Sequence, residues 1–205
     1  GIAGLNGANG SISRCSSEGM ISSIHSVGGI VGHNRGVISD SINNSSVNSD
    51  DSWLELESDN SISLSLESIL NTVEENSQNG TDIGGIAGYN NGVIAGCTNK
   101  GTVGYNHFGK NVGGITGRHE GEIIRCTNNG NITVTKTSDK GAYAFTNLAV
   151  GGIVGRVAAG DASNYSLFDG CENHGDVKVY EARHSGINYA YCVGGIAGQV
   201  TTRQS

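Results

Sequence analysis

Proline is absent from the 205 residues, methionine and tryptophan occur once each, and only 11 residues are aromatic. Without proline there can be no Pro-rich linker. The 34 glycines fall into no strict Gly-X-Y register, which excludes collagen as well. Basic residues number 12 against 19 acidic ones, for a net charge of -7, and they are scattered. No basic stripe is available for phosphate contacts, so nucleic acid is not an expected partner. No run approaches the roughly 18 apolar residues of a membrane helix, so no membrane insertion is expected, and the first residues lack the basic and apolar regions of a signal peptide. The cysteine count of five is odd, which argues against a complete internal disulfide framework.

What the chain has in abundance is one returning phrase. Gly-Gly-Ile, a small residue and Gly recur at Gly28–Gly32, Gly84–Gly88, Gly113–Gly117, Gly151–Gly155 and Gly194–Gly198, and the chain opens inside another copy at Gly1-Ile2-Ala3-Gly4. A repeat of this kind dictates architecture before any single residue dictates chemistry. Opening inside a phrase and ending shortly after another, the chain reads as a piece of a longer protein.

The copies starting at Gly84 and Gly113 keep one frame for 29 residues. Columns that stay apolar are Ile83/Val112/Val150/Val193, Ile30/Ile86/Ile115/Ile153/Ile196, Ile94/Ile123/Phe168, Cys97/Cys126/Cys171 and Val103/Ile132/Val177. The runs between them alternate with the period of a strand. Each unit is therefore expected to supply about three short strands, separated by Asn-x-Gly turns at Asn34, Asn90, Asn99, Asn128 and Asn173, where Asn and Gly would accept positive φ. A lone unit cannot bury enough to fold, so units must stack, pairing each strand with its counterpart. The expected fold is an all-β β-solenoid of about six repeats, a single module over 1–205. Its core columns are Ile30, Ile86, Ile94, Cys97, Val103, Ile115, Ile123, Cys126, Ile132, Ile153, Cys171, Val177 and Ile196.

Successive Gly-Gly pairs are separated by 56, 29, 38 and 43 residues. The extra length falls mostly after the Val103/Ile132/Val177 column, giving interruptions at 48–82, 104–111, 133–149 and 178–192. Two read as hairpins, 133–149 and 178–192. In the longest, Leu66, Ile69, Leu70 and Val73 have helical spacing with Ser65 as an N-cap, which predicts a short amphipathic helix over 66–76. Segment 48–82 also carries nine acidic residues and no Lys or Arg.

The phrase Gly-Gly-Ile-Ala/Val-Gly, followed by Asn-x-Gly, Ile, Cys or Ser, Asn and Gly, resembles the GLUG-motif repeats of large bacterial surface and secreted proteins. These include adhesin-like proteins and the non-catalytic repeat regions of immunoglobulin-A-cleaving metallopeptidases. The resemblance covers most of residues 1–47 and 83–200. It implies an extracellular bacterial module, at the cell surface or secreted, that displays or extends. The metallopeptidases depend on a His-Glu-x-x-His helix. The nearest string here, His119-Glu120-Gly121-Glu122-Ile123, lacks the second His and falls on an expected turn, so peptidase activity is not carried over.

Among candidate sites, Cys97 and Cys126 would stand about 4.8 Å apart in adjacent coils, a separation that permits a disulfide, although an inward column of small apolar thiols continued by Ser41 accounts for them as well. No histidine joins that column, and Asp50, Asp51 and Glu55 lack the spacing of a calcium loop, so no metal and no cofactor are expected. No Ser-His-Asp or Cys-His set can be assembled, and the chain reads as non-catalytic. Eight of the aromatic residues lie in the interruptions. Trp53, Tyr105, Phe108, Tyr143, Tyr180, Tyr189 and Tyr191 are the ligand-binding candidates, a composition suited to a host surface protein or glycan, while Phe145 and alternate tyrosines could equally pack the hairpins onto the stack. The expected role is thus a structural spacer and adhesive display scaffold. Two alternatives stand beside it: a self-assembling extracellular filament, whose uncapped ends would meet neighbouring repeats or identical subunits, and a polysaccharide-acting β-helix enzyme, which should show paired carboxylates on one face.

Overall fold

The computed structural model describes residues 1–23, 26–48, 82–105, 111–136, 147–158, 167–181 and 190–201. Over these the chain is all-β and winds as a solenoid. The first coil carries β1 (Ala3–Asn6), β2 (Ser11–Ser13), β3 (Ser16–Ser17) and β4 (Met20–Ile21). The second carries β5 (Val27–Gly28), β6 (Val31–Asn34), β7 (Val37–Ser39), β8 (Ile42–Asn43) and β9 (Ser46–Val47). The third has β10 (Asp82–Gly84), β11 (Ala87–Asn90), β12 (Val93–Ala95), β13 (Thr98–Asn99) and β14 (Val103–Tyr105). The fourth has β15 (Asn111–Gly113), β16 (Thr116–His119), β17 (Glu122–Ile124), β18 (Thr127–Asn128) and β19 (Ile132–Lys136). The fifth has β20 (Asn147–Gly151), β21 (Val154–Val157), β22 (Leu167–Asp169), β23 (Glu172–Asn173) and β24 (Val177–Glu181), and β25 (Ala190–Gly194) and β26 (Ala197–Val200) begin the sixth.

A full coil therefore has five strands, not three. The strands stack into five parallel sheets: sheet A (β1-β6-β11-β16-β21-β26), sheet B (β2-β7-β12-β17-β22), sheet C (β3-β8-β13-β18-β23), sheet D (β4-β9-β14-β19-β24) and sheet E (β5-β10-β15-β20-β25). Register follows the sequence columns. Ile83, Val112, Val150 and Val193 are paired in sheet E, Ile94, Ile123 and Phe168 in sheet B, and Val103, Ile132 and Val177 in sheet D. The Ile30/Ile86/Ile115/Ile153/Ile196 column lies between strands and is tied coil to coil by Ile N–H groups donating to the next Ile carbonyl.

The apolar columns form two compartments. One, containing Ile30, Ile38, Ile86, Ile94, Cys97, Ile115, Ile123, Cys126 and Ile153, lies against sheets A and B; the other, with Val47, Ile83, Val103, Val112, Ile132 and Val150, lies between sheets D and E. The seam between them is made by the second glycine of each Gly-Gly pair. A Cβ on Gly85 would overlap Asn99, one on Gly114 would overlap Asn128, and one on Gly152 would overlap Asn173. Glycine is needed here for close approach of backbone to side chain.

Those asparagines correct the expectation of Asn-x-Gly turns with positive φ. Among the described residues, none of the five Asn-x-Gly motifs has positive φ at its Asn or Gly. The Asn side chains instead point inward and join into two ladders. In one, Asn6 donates to Asn34 at 2.8 Å and Asn34 to Asn90 at 2.7 Å. In the other, the Ser17 hydroxyl donates to Asn43, Asn43 to Asn99, Asn99 to Asn128 and Asn128 to Asn173, all at 2.7 to 2.8 Å. Each rung also holds its own bend: Asn128 Nδ2 donates to Gly130 O at 2.8 Å while Gly130 N donates to Asn128 Oδ1. Positive φ is concentrated at a different column, the residue before each Cys or Ser: Arg14, Asp40, Gly96, Arg125 and Gly170.

The core assignments hold from Ile30 through Ile153, each fully buried. Cys171 and Val177 are partly buried, packed against the compartments. Ile196 does not have the burial of a core residue: it is 38% exposed because its coil has a described neighbour on one side only. The described flanks of the two expected hairpins extend the stack: residues 132–136 pair in parallel with 177–181, and 147–151 with 190–194, lengthening sheets D and E, while the turns at 137–146 and 182–189 lie outside the described residues. A five-residue parallel partner is available in the next coil, and that ladder takes the strand.

The predicted helix 66–76 and most of the acidic 48–82 segment lie outside the described residues. Four interruptions, 49–81, 106–110, 137–146 and 182–189, join sheet D to sheet E, while 159–166 joins sheet A to sheet B.

Candidate binding face

Of the aromatic candidates, Trp53, Phe108, Tyr143 and Tyr189 lie outside the described residues. Tyr105, Tyr180 and Tyr191 are placed by their backbones at the sheet D and E strand ends, in β14, β24 and β25. All five cysteines are free thiols. Cys97 and Cys126 are fully buried and donate to carbonyls of their own and the preceding coil, Cys97 to Ala95 and Ile38 and Cys126 to Ile124 and Ile94. Held between the Cys171 and Cys97 thiols and away from water, the Cys126 thiol is pushed up in pKa. The column is a packing device, as the apolar reading had it. Among the described residues no group of three or more His, Cys, Asp or Glu side chains is placed to hold a metal.

A chemically richer surface runs along the outside of sheet A. The residue after each Gly-Gly-Ile-x-Gly phrase is His33, Tyr89, Arg118, Arg156 and Gln199, and strand pairing sets these in one row, coil after coil. The adjoining row, one bend further on, contains Arg35, Asn91, Glu120, Ala158 and Thr201, whose amides each donate to the ladder-column residue of the coil before. Parallel strands about 4.8 Å apart bring flat groups to stacking distance. His33 and Tyr89 stack with centroids 4.4 Å apart and planes 25° from parallel, and the Arg118 guanidinium sits 4.8 Å from the Tyr89 ring centroid as a cation–π partner.

Hydrogen bonds run from the first row to the second. His33 Nε2 meets Asn91 Oδ1 at 3.1 Å, the Tyr89 hydroxyl donates to Glu120 Oε2 at 2.6 Å, and Arg118 Nε donates to Glu120 Oε1 at 2.9 Å, with Nη2 closing the ion pair. Burial, then the Glu120 bond, raises the Tyr89 hydroxyl pKa, so Tyr89 stays a donor. Burial and the charges of Arg35 and Arg118 lower the His33 pKa. Beneath the row, Asp82 is 2% exposed, accepts from Asn111 Nδ2 at 2.6 Å, and is pushed by burial up to about 7. Arg156 differs from Arg118: its Nε is buried and has no hydrogen-bond partner among the described residues.

His119 is the other departure. The peptidase comparison places it on a turn; it ends β16 and is fully buried in the column of Asn34 and Asn90. Its Nδ1 receives Asn90 Nδ2 at 3.2 Å and its Nε2 donates to Leu167 O at 3.0 Å, which requires the neutral ring. Burial lowers its pKa to about 4.

The sequence reading missed this face because it sought recognition where the repeat is interrupted. The available signal was inside the repeat: the position just after the phrase is large and polar in every complete copy. Comparison with family models, with curated proteins and with solved structures returned no match.

Proposed function

We propose that the chain is a non-catalytic structural and adhesive display module of a bacterial surface or secreted protein, akin to the GLUG-motif repeats its phrase resembles. The observation that carries this reading is where the repeat is broken. Four of the five interruptions join sheet D to sheet E, so segments of different length and composition leave a regular stack along one line. A stack held by continuous backbone ladders and by buried amide rungs tolerates such insertions, because they enter between strands and leave the register of neighbouring coils intact. The aromatic candidates belong to these segments or their flanks, and host protein or glycan is the partner class that they fit.

The test is a glycan array together with binding to host mucins and immunoglobulins, using the full chain and a variant with 49–81 deleted. Saturable binding that the deletion or the interruption aromatics alter supports the display role. Silence in every assay, with filaments visible by electron microscopy, would replace it with assembly.

A further inference from the structure

On the outer face of sheet A, first-row side chains of three successive coils meet second-row partners, and the fifth coil departs from that pattern. In the third and fourth coils the large residue of the first row finds an acceptor in the second row: Tyr89 and Arg118 both end on the Glu120 carboxylate. Arg156 stands opposite Arg118 in strand register and repeats its chemistry in the fifth coil. The second-row position that holds Glu120 in the fourth coil holds Ala158 in the fifth, as the parallel bonds Glu120 N to Asn90 O and Ala158 N to His119 O establish. Gln199 and Thr201, the next residues of the two rows, bring no negative charge. Among the described residues, the fifth coil therefore keeps the guanidinium and has Ala158 where the fourth coil has the Glu120 carboxylate. The Arg156 Nε is already withdrawn from water without an acceptor among the described residues, and a buried polar group left unpaired is destabilising.

We propose that Arg156 is the anchor of a carboxylate-binding site over Ala158, and that its ligand is an acidic oligosaccharide whose uronate group takes the place that Glu120 occupies one coil earlier. Arginine presents a planar fork matched to a carboxylate. The next coil adds hydrogen-bonding groups: the Gln199 amide, in register with Arg156, and the Thr201 hydroxyl, which donates to Val157 O at 3.0 Å and keeps its lone pairs for a sugar hydroxyl. The chain's net charge of -7 disfavours a dense polyanion, whereas a saccharide with carboxylates separated by neutral rings brings one charge to one arginine. The site lies on the regular face of the coil and is independent of binding through the sheet D to sheet E interruptions.

The experiment titrates the full chain with a tetrasaccharide alternating glucuronate and N-acetylglucosamine, beside its neutral analogue with glucose for glucuronate and a glutamate-containing hexapeptide, followed by calorimetry or NMR. The expected result is saturable binding of the acidic saccharide alone, weakened at least tenfold in Arg156→Gln and in Ala158→Glu, and weakened by added salt. Ala158→Glu supplies the missing carboxylate from within, so it should also raise the thermal midpoint. It keeps the test decisive if Arg156→Gln misfolds. Equal binding of the neutral analogue, equal binding of the peptide, or indifference to Ala158→Glu would overturn the proposal. Deleting 49–81 should leave this titration unchanged even where it abolishes binding to host proteins, which separates the two readings.

Discussion

Two neighbouring asparagines make a sharp test of the buried ladder. Asn128 is fully buried and takes part in four hydrogen bonds: it donates to Gly130 O and Asn173 Oδ1 and accepts from Asn99 Nδ2 and Gly130 N. Asn129, the next residue, is exposed. In Asn128→Ala, Asn99 keeps its bond to Gly101 and Asn173 keeps its own to Gly175, so those two amides are only half deprived. Gly130 is buried, and both its N–H and its C=O lose their side-chain partner. At about 1–3 kcal/mol for each of the two orphaned Gly130 groups, plus about 1 kcal/mol for each of the two inter-coil bonds, the expected loss is about 4–8 kcal/mol. Asn129→Ala should stay within about 0.5 kcal/mol of wild type. Chemical denaturation followed by far-UV circular dichroism measures both, with hydrogen exchange at the Gly130 amide as a local readout, since stacked repeats can unfold in parts. A loss under about 1 kcal/mol for Asn128→Ala, or equal losses for the two variants, would refute the claim that the amide ladder is a structural spine.

Ile115→Ala, at a fully buried site, should cost about 2–5 kcal/mol, and a change within 0.5 would mean the column does not pack as described. His119 is held neutral with its pKa near 4, below the ordinary 6.5, so the unfolded chain takes up the proton first; stability is complete above about pH 6.5 and falls toward pH 4, by up to about 3 kcal/mol. His119→Asn, which continues the ladder residue of Asn34 and Asn90, should flatten that acid limb in a pH series of denaturation midpoints; an unchanged limb would clear His119 of the effect. Asp82 acts in the opposite sense. Its folded pKa is raised to about 7, so its contribution is present below the unfolded value of 3.8 and is lost as pH rises through 7. Asp82→Asn keeps the acceptor for Asn111 and should stabilise the protein at pH 8 by about 1–3 kcal/mol, and destabilisation there would show that the carboxylate is needed charged.

The apolar columns were legible because a stacked coil gives each inward position one environment, so Ile86, Ile115 and Ile153 recur as the same residue. The asparagines recur for the same reason, yet an Asn-x-Gly string carries the same letters whether its Asn turns outward at positive φ or inward to a rung. Spacing alone points to the turn; the buried reading follows only once Gly85 and Asn99 are known to touch. The left-handed column was hidden because Arg14, Asp40 and Arg125 occupy it beside Gly96 and Gly170. His119 and Ala158 were hidden for another reason. Each is an exception within its column, and an exception is visible only after the register is fixed.

The two amide ladders have a direction. Every bond in them between side chains of successive amide or hydroxyl rungs runs from a donor in one coil to an acceptor in the next coil toward the C-terminus: Asn6 to Asn34 to Asn90, and Ser17 to Asn43 to Asn99 to Asn128 to Asn173. Aligned head to tail, these amides polarise one another, so each added rung strengthens those already present. The stack is thus a vector. Within the Ser17 to Asn173 ladder each coil presents an acceptor to the coil before it and a donor to the coil after it, so a coil laid in the reverse sense would set like against like.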